Sequence, residues 1–252
     1  AFRMILPKTR STSNARKSLF GAVLCIALSL VPLVIVLVVS DGMIEGITDR
    51  IIGLSSYHLQ AVEYPVYTKT EDTSELDNFL ETIRLIDGVK FAYPERQGIA
   101  LAAGKKGRIG ATIRAVDPDI FIKDTSFKKY VNIHSGSADL SNSKNVLVGK
   151  SMAETLGVKV GDKLRIITAR KNQNDNLVPR VSVFNITGII SCGYQELDAL
   201  WVFIPFTTGY DLMSNDASQV LIGIETFDAF SQELYQVRDE ILRLMPRSFE
   251  LY

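Results

Sequence analysis

The sequence predicts an α+β protein. One N-terminal transmembrane helix is followed by an extracytoplasmic α/β two-layer subdomain built from two β-α-β units, with a β-rich subdomain inserted. Three observations predict this fold: residues 18–40 lack charge, strand–helix–strand patterns occur near both ends of the remaining chain, and strand-length apolar runs lie between them. Of the 252 residues, 46% are hydrophobic and 22% are charged, a composition that excludes a disordered chain.

The N-terminal helix is predicted to cross a membrane. Residues 18–40 form an uncharged run of 23 positions, and such a helix rises about 34 Å, enough for a hydrocarbon core of about 30 Å. A cleaved signal peptide has a shorter apolar core, and residues 38–40 offer no small-residue cleavage site. The five cations of residues 1–17 argue against the second alternative, a buried soluble helix, and predict a cytoplasmic N-terminus with residues 41–252 outside.

The charge distribution excludes one class of partner. Residues 1–40 contain five basic side chains and no acidic one, so residues 41–252 hold 23 basic against 28 acidic side chains. Because a nucleic-acid-binding surface is basic, we expect no nucleic-acid partner.

The two cysteines cannot form a disulfide framework, and no bridge joins Cys25 in the span to Cys192 outside it.

Helical periodicity continues beyond the span, which predicts a helical extension over residues 41–56. Its apolar stripe consists of Met43, Ile44, Ile47, Ile51 and Leu54. A rigid helix between a membrane span and a folded domain suits the transmission of motion. It suits equally well the holding of a domain at a fixed height.

The α/β subdomain is assigned to residues 57–116 and 216–252. Each segment contains a strand, a helix with one apolar face, and a further strand. Gly88 ends the first helix and Pro246 the second. The predicted elements are a strand at 57–64, a helix from 72–75 to 88, strands at 89–93, 98–103 and 109–116, a strand at 220–224, a helix carrying Phe227 and Phe230, and an extended segment at 248–252.

Residues 117–215 are predicted to form the inserted β-rich subdomain. They contain one short helix at 151–156 and strands at 146–148, 163–169, 181–190 and 200–204. Residues 172–176 are polar, and the loop predicted over residues 170–180 is longer than the two to five residues of a usual hairpin loop. Such a loop is either mobile decoration or a projecting binding element.

No motif indicates catalysis, a cofactor or a metal. Residues 148–151 resemble the end of a phosphate loop, but Lys144 stands where the first glycine is required. His58 and His134 lack a second ligand at metal-binding spacing. Residues 117–119, Asp-Pro-Asp, predict a turn and a helix start rather than a catalytic dyad. The residues themselves therefore give no positive evidence for an active site or a cofactor.

Residues 145–164 resemble the "G-x-x-x-A-x-x-L-G-x-x-x-G-D" signature of the extracytoplasmic core of FtsX/MacB-type ABC permeases. Residues 184–198 are similar to the "V-x-G-I-F-x-x-G-x-x-E-x-D" segment of the lipoprotein-releasing branch, the LolC/LolE type. Residues 40–43 and 113–118 resemble that branch's "S-V-M-N-G-F" and "I-x-G-V-D-P" segments, with a departure at Asp41. The resemblance covers nearly the whole chain and implies the N-terminal part of a permease that has three further spans.

The resemblance also implies partners and roles. Such a subunit is non-catalytic, pairs with a second permease subunit as a homo- or heterodimer, and binds a cytoplasmic ABC ATPase. In the lipoprotein-releasing branch, ATP hydrolysis drives transfer of a lipoprotein from the outer leaflet of the bacterial inner membrane to a soluble periplasmic carrier. Lipid and lipoprotein would be faced by Val34, Leu37, Val38, Met43, Ile44 and Ile47. The carrier would be contacted by Arg170, Lys171, Asn174, Asn176, Leu177, Val178, Pro179 and Arg180.

Two other functions remain open at this level. A mechanotransmission permease of the same superfamily, in efflux or cell division, would dock a channel or regulate a wall hydrolase with its outer domain. A single-span sensor would bind a small ligand outside the cell. The captured partner distinguishes the first from lipoprotein release, and the sequence following residue 252 would identify the second.

Overall fold

The computed structural model describes residues 14–63, 74–171, 176–213, 219–227 and 231–252. The chain divides into two compact units, residues 1–49 and residues 50–252. One long helix dominates the first unit, and a mixed sheet with covering helices forms the second. The predicted α+β class is therefore confirmed.

Helix α1, Asn14–Ile51, contains the predicted span and most of the predicted extension. Side chains from residue 18 to residue 46 are exposed. Within the described chain, α1 is the one helix whose length and apolar composition suffice to cross a membrane. Because the core helix of a soluble protein would be buried, this exposure favours the membrane span. A π-helical turn, Ile52–Ser56, follows α1.

The elements of the second unit begin and end with the predicted strand–helix–strand order. The first elements are β1 (Leu59–Glu63), α2 (Ser74–Arg84), β2 (Val89–Ala103), β3 (Arg108–Val116), α3 (Ile120–Lys123), α4 (Thr125–Tyr130), β4 (Asn132–Gly136) and β5 (Asn145–Gly149). The remaining elements are α5 (Lys150–Leu156), β6 (Lys163–Lys171), β7 (Leu177–Ser191), α6 (Gln195–Leu200), β8 (Trp201–Pro205), α7 (Phe206–Leu212), β9 (Gln219–Thr226), α8 (Gln232–Leu244) and β10 (Phe249–Leu251).

The two β-α-β units interleave. Their strands lie in the order β10–β1–β9–β2 with antiparallel pairing throughout, so each unit's two parallel strands are separated by a strand of the other unit. Helices α2 and α8 cover one face of these strands. The core between the layers includes Phe79 and Ile83 of α2, Val237 and Ile241 of α8, and Ile222 of β9. Neither β-α-β unit can bury its apolar face alone, and the interleaving of their strands buries both faces.

The remaining strands extend the same sheet. The order continues β3–β8–β5–β7–β4, and β6 pairs with both β2 and β7. A second core forms around α5, where Met152 and Leu156 pack with Ile113, Ile166 and Val202. The strands of residues 117–215 are thus joined by hydrogen bonds to those of the α/β part at β3–β8 and β2–β6.

Three local predictions were wrong. The described part of residues 117–215 contains five short helices rather than one, because helices of four to seven residues show too few turns for periodicity to reveal them. Strand β2 runs unbroken through Pro94, which lies opposite Ile222 of β9 and one residue before the pairing with β3 begins. Phe227 precedes α8 and is exposed, whereas Phe230 lies outside the described residues.

The hairpin between β6 and β7 also differs from prediction. The ladder continues to Arg170 opposite Val178 and to Lys171 opposite Leu177. The connection is therefore residues 172–176, five positions instead of eleven, which is within the usual hairpin range. The prediction assigned both strand ends to the loop, because charged residues occur at strand ends as well as in loops.

Gly149 holds two elements in close contact. It ends β5 and precedes the first residue of α5, the strand-to-helix turn expected at this position. A Cβ atom at Gly149 would lie 2.1 Å from the carbonyl oxygen of Asp198, a backbone atom that cannot rotate away. Only glycine therefore fits where β5 passes α6.

Gly149→Ala should destabilise the protein by about 1–3 kcal/mol, the usual cost of overpacking. Gly110→Ala is the matched control, because a Cβ at Gly110 would meet nothing within 4 Å. Urea denaturation of the chain in detergent, followed by fluorescence of its one tryptophan, Trp201, measures both. Equal denaturation midpoints for the two variants would contradict this close approach.

Candidate functional site

The site lies where the π-helical turn joins the sheet, between Arg50 and Tyr57. Leu54 is fully buried and Tyr57 is almost fully buried, so this segment is part of the core of the second unit. Tyr57 has a φ of 54°, a conformation that non-glycine residues avoid. Its ring packs on Gly223 of β9, where a Cβ would lie 2.4 Å from a ring carbon. The missing side chain of Gly223 thus makes room for the strained Tyr57.

A buried ion pair holds this segment to the sheet. Arg114 of β3 donates two hydrogen bonds to the carboxylate of Glu95 on β2, and Nη2 lies 2.7 Å from Oε2. The same guanidinium donates through Nη1 to the carbonyl of Leu54 in the π-helical turn. The Tyr57 hydroxyl donates to Glu95 Oε2 at 2.7 Å. Arg114 and Glu95 are 1% and 0% exposed, so their hydrogen bonds are not shared with solvent.

Aromatic rings enclose the guanidinium. Its Cζ atom lies 4.6 Å from the ring centroid of Trp201, 5.2 Å from that of Phe203 and 5.7 Å from that of Phe127. Their π faces attract a cation, which offsets part of its desolvation. Burial lowers the pKa of Arg114, but the charge of Glu95 outweighs it and raises that pKa above its ordinary value. Burial raises the pKa of Tyr57 well above its ordinary value, so the phenol stays protonated and donates.

Arg50 makes a second connection between the helix end and the sheet. Its Nη1 donates to the carbonyl of Cys192 at 3.1 Å, and its guanidinium lies 5.8 Å from the Tyr130 ring centroid. A Cβ at Gly193, whose φ is +75°, would lie 2.6 Å from that Nη1. Gly193 therefore admits the arginine.

Asp198 shapes the loop that receives Arg50. Its carboxylate accepts a hydrogen bond from the Cys192 backbone N–H at 2.8 Å and one from the Ser191 hydroxyl at 2.6 Å. Burial, together with the hydrogen bond to Asp198, raises the pKa of the Cys192 thiol to about 12. The thiol is therefore protonated at neutral pH and unreactive. Gly193 and Asp198 belong to the segment whose family resemblance the sequence showed, and here their role is positional.

This arrangement can carry force from the segment to the sheet. The carbonyl of Leu54 and the side chains of Arg50 and Tyr57 are bound to β2, β3 and the loop after β7. A displacement of this segment must either move those strands or break hydrogen bonds that have no solvent to replace them.

The predicted lipid-facing residues all lie on α1. Val34, Leu37, Val38, Met43 and Ile44 are between 54% and 65% exposed, and Ile47 is half-buried. At 3.6 residues per turn, Met43 is about 180° around the helix from Val34. The six residues therefore do not form a single stripe.

The predicted carrier-contacting residues lie mainly in strands. Arg170 and Lys171 end β6, whereas Leu177, Val178, Pro179 and Arg180 begin β7. Asn176 is exposed, as are Val178 and Pro179. Asn174 lies outside the described residues.

Sequence reasoning missed Arg114, Glu95 and Tyr57. One signal was available for Arg114, which is a charge within the apolar, strand-length run 109–116, whereas Glu95 lies in the polar stretch between two predicted strands. A charge in such a run is either on an exposed face or paired in the core. Only the pairing of β2 with β3, which places Gln97 opposite Arg114, brings Glu95 within reach.

Comparison with known proteins identifies the family. The profile of the MacB-like periplasmic core domain matches residues 19–236. The lipoprotein-releasing system transmembrane protein LolC of Xylella fastidiosa is 24% identical over 182 residues, which are 71% of this chain and 42% of that protein. LolC of Neisseria meningitidis serogroup B is 26% identical over 174 residues, 69% of this chain and 40% of that protein. The chain thus spans about two fifths of the length of these relatives.

A solved structure shows the same fold. The extracellular domain of the noncanonic ABC-type transporter YknZ from Gram-positive bacteria superimposes with a TM-score of 0.50 at 12% identity, covering 77% of this chain and 99% of that domain. A helix of membrane-spanning length and a domain of periplasmic type make this an inner-membrane protein with an extracytoplasmic domain. Since the profile matches most of its length, the chain belongs to the MacB-like periplasmic core domain family.

Proposed function

We propose that this chain is part of a non-catalytic permease subunit of an ABC transporter that releases lipoproteins from the outer leaflet of the inner membrane. Family membership and two LolC relatives over about 70% of the chain support this proposal. The proposed partners are a cytoplasmic ATPase, a second permease subunit, the lipoprotein and its soluble carrier. The N-terminus is cytoplasmic in this proposal, because the five cations of residues 1–17 precede the span.

The observation that carries the mechanism is the attachment of Leu54 and Tyr57 to Arg114 and Glu95. Work done by an ATPase inside the cell reaches the outer domain through the chain that leaves the membrane. The residues that follow the membrane helix are hydrogen-bonded to a buried ion pair between β2 and β3. A displacement of these residues therefore moves the sheet. The proposed transporter therefore uses the ion pair as its mechanical connection.

Lipoprotein release requires such an input of work. Each acyl methylene withdrawn from the bilayer costs about 0.8 kcal/mol, and a mature lipoprotein carries several acyl chains. In this proposal the exposed apolar side chains of α1, among them Val34, Leu37 and Ile44, contact these chains during extraction. They provide a non-aqueous surface in place of the lipid that the chains leave.

Arg114→Leu should destabilise the protein by about 3–5 kcal/mol, because Glu95 would remain buried without its partner. The double variant Glu95→Leu/Arg114→Leu should recover most of that stability, since apolar side chains replace both charges. It should nevertheless lose ATP-driven lipoprotein release, because the Leu54 carbonyl and the Tyr57 hydroxyl lose their partners. Urea denaturation measures the first effect, and release from proteoliposomes by the complete transporter measures the second.

The matched control for this double variant is Arg238→Leu/Asp239→Leu, which removes an exposed ion pair on α8. It should leave release unchanged. Normal release by the stable double variant Glu95→Leu/Arg114→Leu would contradict the mechanical role of the buried pair.

Deletion of residues 172–176 should abolish binding of the soluble carrier without unfolding the domain. The neighbouring Val178 and Pro179 are exposed, so the end of this hairpin offers apolar surface beside polar residues. Replacement of the five residues by glycine and serine is the control that keeps the connection length. Pull-down with the purified carrier measures binding, and Trp201 fluorescence checks folding.

Unchanged carrier binding by the deletion variant would refute the assignment of the hairpin. Capture of an adaptor protein or a wall hydrolase by the intact protein, instead of a lipoprotein carrier, would contradict lipoprotein release itself.

A further inference from the structure

Three side-chain oxygens near the start of α4 are buried and have no hydrogen-bond partner among the residues that the structure describes. They are Asp124 Oδ2, Glu225 Oε2 and the hydroxyl of Tyr93. Asp124 is 1% exposed, Tyr93 4% and Glu225 7%, so water does not reach these atoms freely. An unpaired buried polar atom costs about 1–3 kcal/mol, and a cluster of them requires an explanation.

The carboxyl groups of Asp124 and Glu225 are neighbours, and each accepts hydrogen bonds from different donors. Asp124 is the N-cap residue of α4, and its Oδ1 accepts a hydrogen bond from the Phe127 N–H at 2.8 Å. Glu225, on β9, accepts from Lys90 at 3.3 Å and from the Ser126 hydroxyl at 3.3 Å, both through Oε1. The remaining oxygen of each carboxyl group has no donor among the described residues, and the two side chains lie within hydrogen-bonding reach of each other.

The charged surroundings do not compensate two carboxylates. The groups that face the pair are Lys90 and Tyr93 from β2, Ser126 from α4 and, after the π-helical turn, Tyr57. Asp117 after β3 and Arg84 from α2 act on the neighbouring hydroxyl of Tyr93. Lys90 is the cation in direct contact, and Asp117 adds a further negative charge. Two buried carboxylates beside one ammonium leave one charge uncompensated, and a proton shared between them removes it.

We propose that Asp124 and Glu225 form a proton-binding pair, in which Asp124 carries one proton and donates it from Oδ2 to Glu225 Oε2. The proton supplies the donor that both oxygens lack. Burial raises the pKa of Asp124 to about 7, with a further rise from Glu225, although the hydrogen bond from Phe127 lowers it. The pair therefore changes its charge close to neutral pH.

This proton bears on the segment that leaves the membrane helix. Helix α4 packs on the π-helical turn, where a Cβ at Gly53 would lie 2.8 Å from the Cβ of Ser126. Ser126 in turn bonds to Glu225. Loss of the proton leaves two carboxylates that repel each other at the N-terminus of α4. This repulsion weakens the packing of α4 against the π-helical turn. The proton-binding pair does not depend on which substrate the transporter moves.

The sign of the pH dependence follows from proton linkage. The folded protein holds the proton up to about pH 7, whereas an unfolded aspartate loses it near its ordinary pKa of about 3.9. Stability from the pair is therefore complete below about pH 3.9, the unfolded pKa, and is lost as the pH rises from there through 7. Over the upper part of that interval the unfolding equilibrium constant should rise by up to about tenfold per pH unit.

Asp124→Asn tests the proposal, because the amide reproduces the protonated acid. Its Nδ2 donates to Glu225 and its Oδ1 still caps Phe127. We expect this variant to lose the pH-dependent fall in stability between about pH 5 and pH 7 that the wild type shows. Asp139→Asn is the matched control: this exposed carboxylate also accepts a backbone N–H, from Ser141 at 2.9 Å, and its removal should leave the fall unchanged. Urea denaturation of the full chain in detergent measures all three proteins.

Infrared difference spectroscopy of the folded wild type adds a direct readout. The carbonyl stretch of a protonated carboxyl group should be present at about pH 5, disappear with a midpoint near pH 7, and be missing in Asp124→Asn. Should that variant fail to fold, Glu225→Gln takes its place, since its amide donates to Asp124. Equal pH dependence in the wild type and the variant, or no titrating carboxyl band, would overturn the proposal. Stabilisation of the wild type by calcium chloride at constant pH would also overturn it, because the pair would then hold a cation.

Discussion

The hydrogen bonds of Arg114 hold the first residues of the second unit to its sheet. A fully buried guanidinium is tolerated only when every donor has a partner and the counter-charge is close. Glu95 supplies that charge, Leu54 supplies a carbonyl, and three aromatic rings fill the remaining space. The same atoms that compensate the charge therefore determine where the π-helical turn can lie.

The sheet distributes any force that acts on this ion pair. Strand β2 contacts β9, β3 and β6, so it belongs to the hydrogen-bonded network on both sides. One core lies under α2 and α8, and another surrounds α5, but both rest on this continuous sheet. A close-packed sheet with two covered regions deforms little, so movement at β2 and β3 involves the whole unit.

Two buried charge clusters lie beside the same segment and differ in kind. Arg114 and Glu95 have opposite charges, and each side-chain nitrogen and carboxylate oxygen of the pair has a hydrogen-bond partner. Asp124 and Glu225 have like charges and incomplete hydrogen bonding, which a proton completes. The first cluster attaches the π-helical turn to the sheet. The second cluster supports the turn to a degree that depends on pH. Helix α4 lies between them, since Phe127 faces Arg114 and Ser126 bonds to Glu225.

The sequence by itself determined the features that depend on local pattern. An uncharged run of membrane length, two strand–helix–strand units and the glycine-containing family segments were visible because periodicity and spacing are properties of neighbouring residues. Only the tertiary structure decided which strands pair, that β6 joins β2 to β7, and that the hairpin after β6 is short. It alone brought Arg114 to Glu95 and Leu54, and Asp124 to Glu225. Those residues are 19, 60 and 101 positions apart, and their partnerships follow from sheet register and burial, which no local pattern encodes.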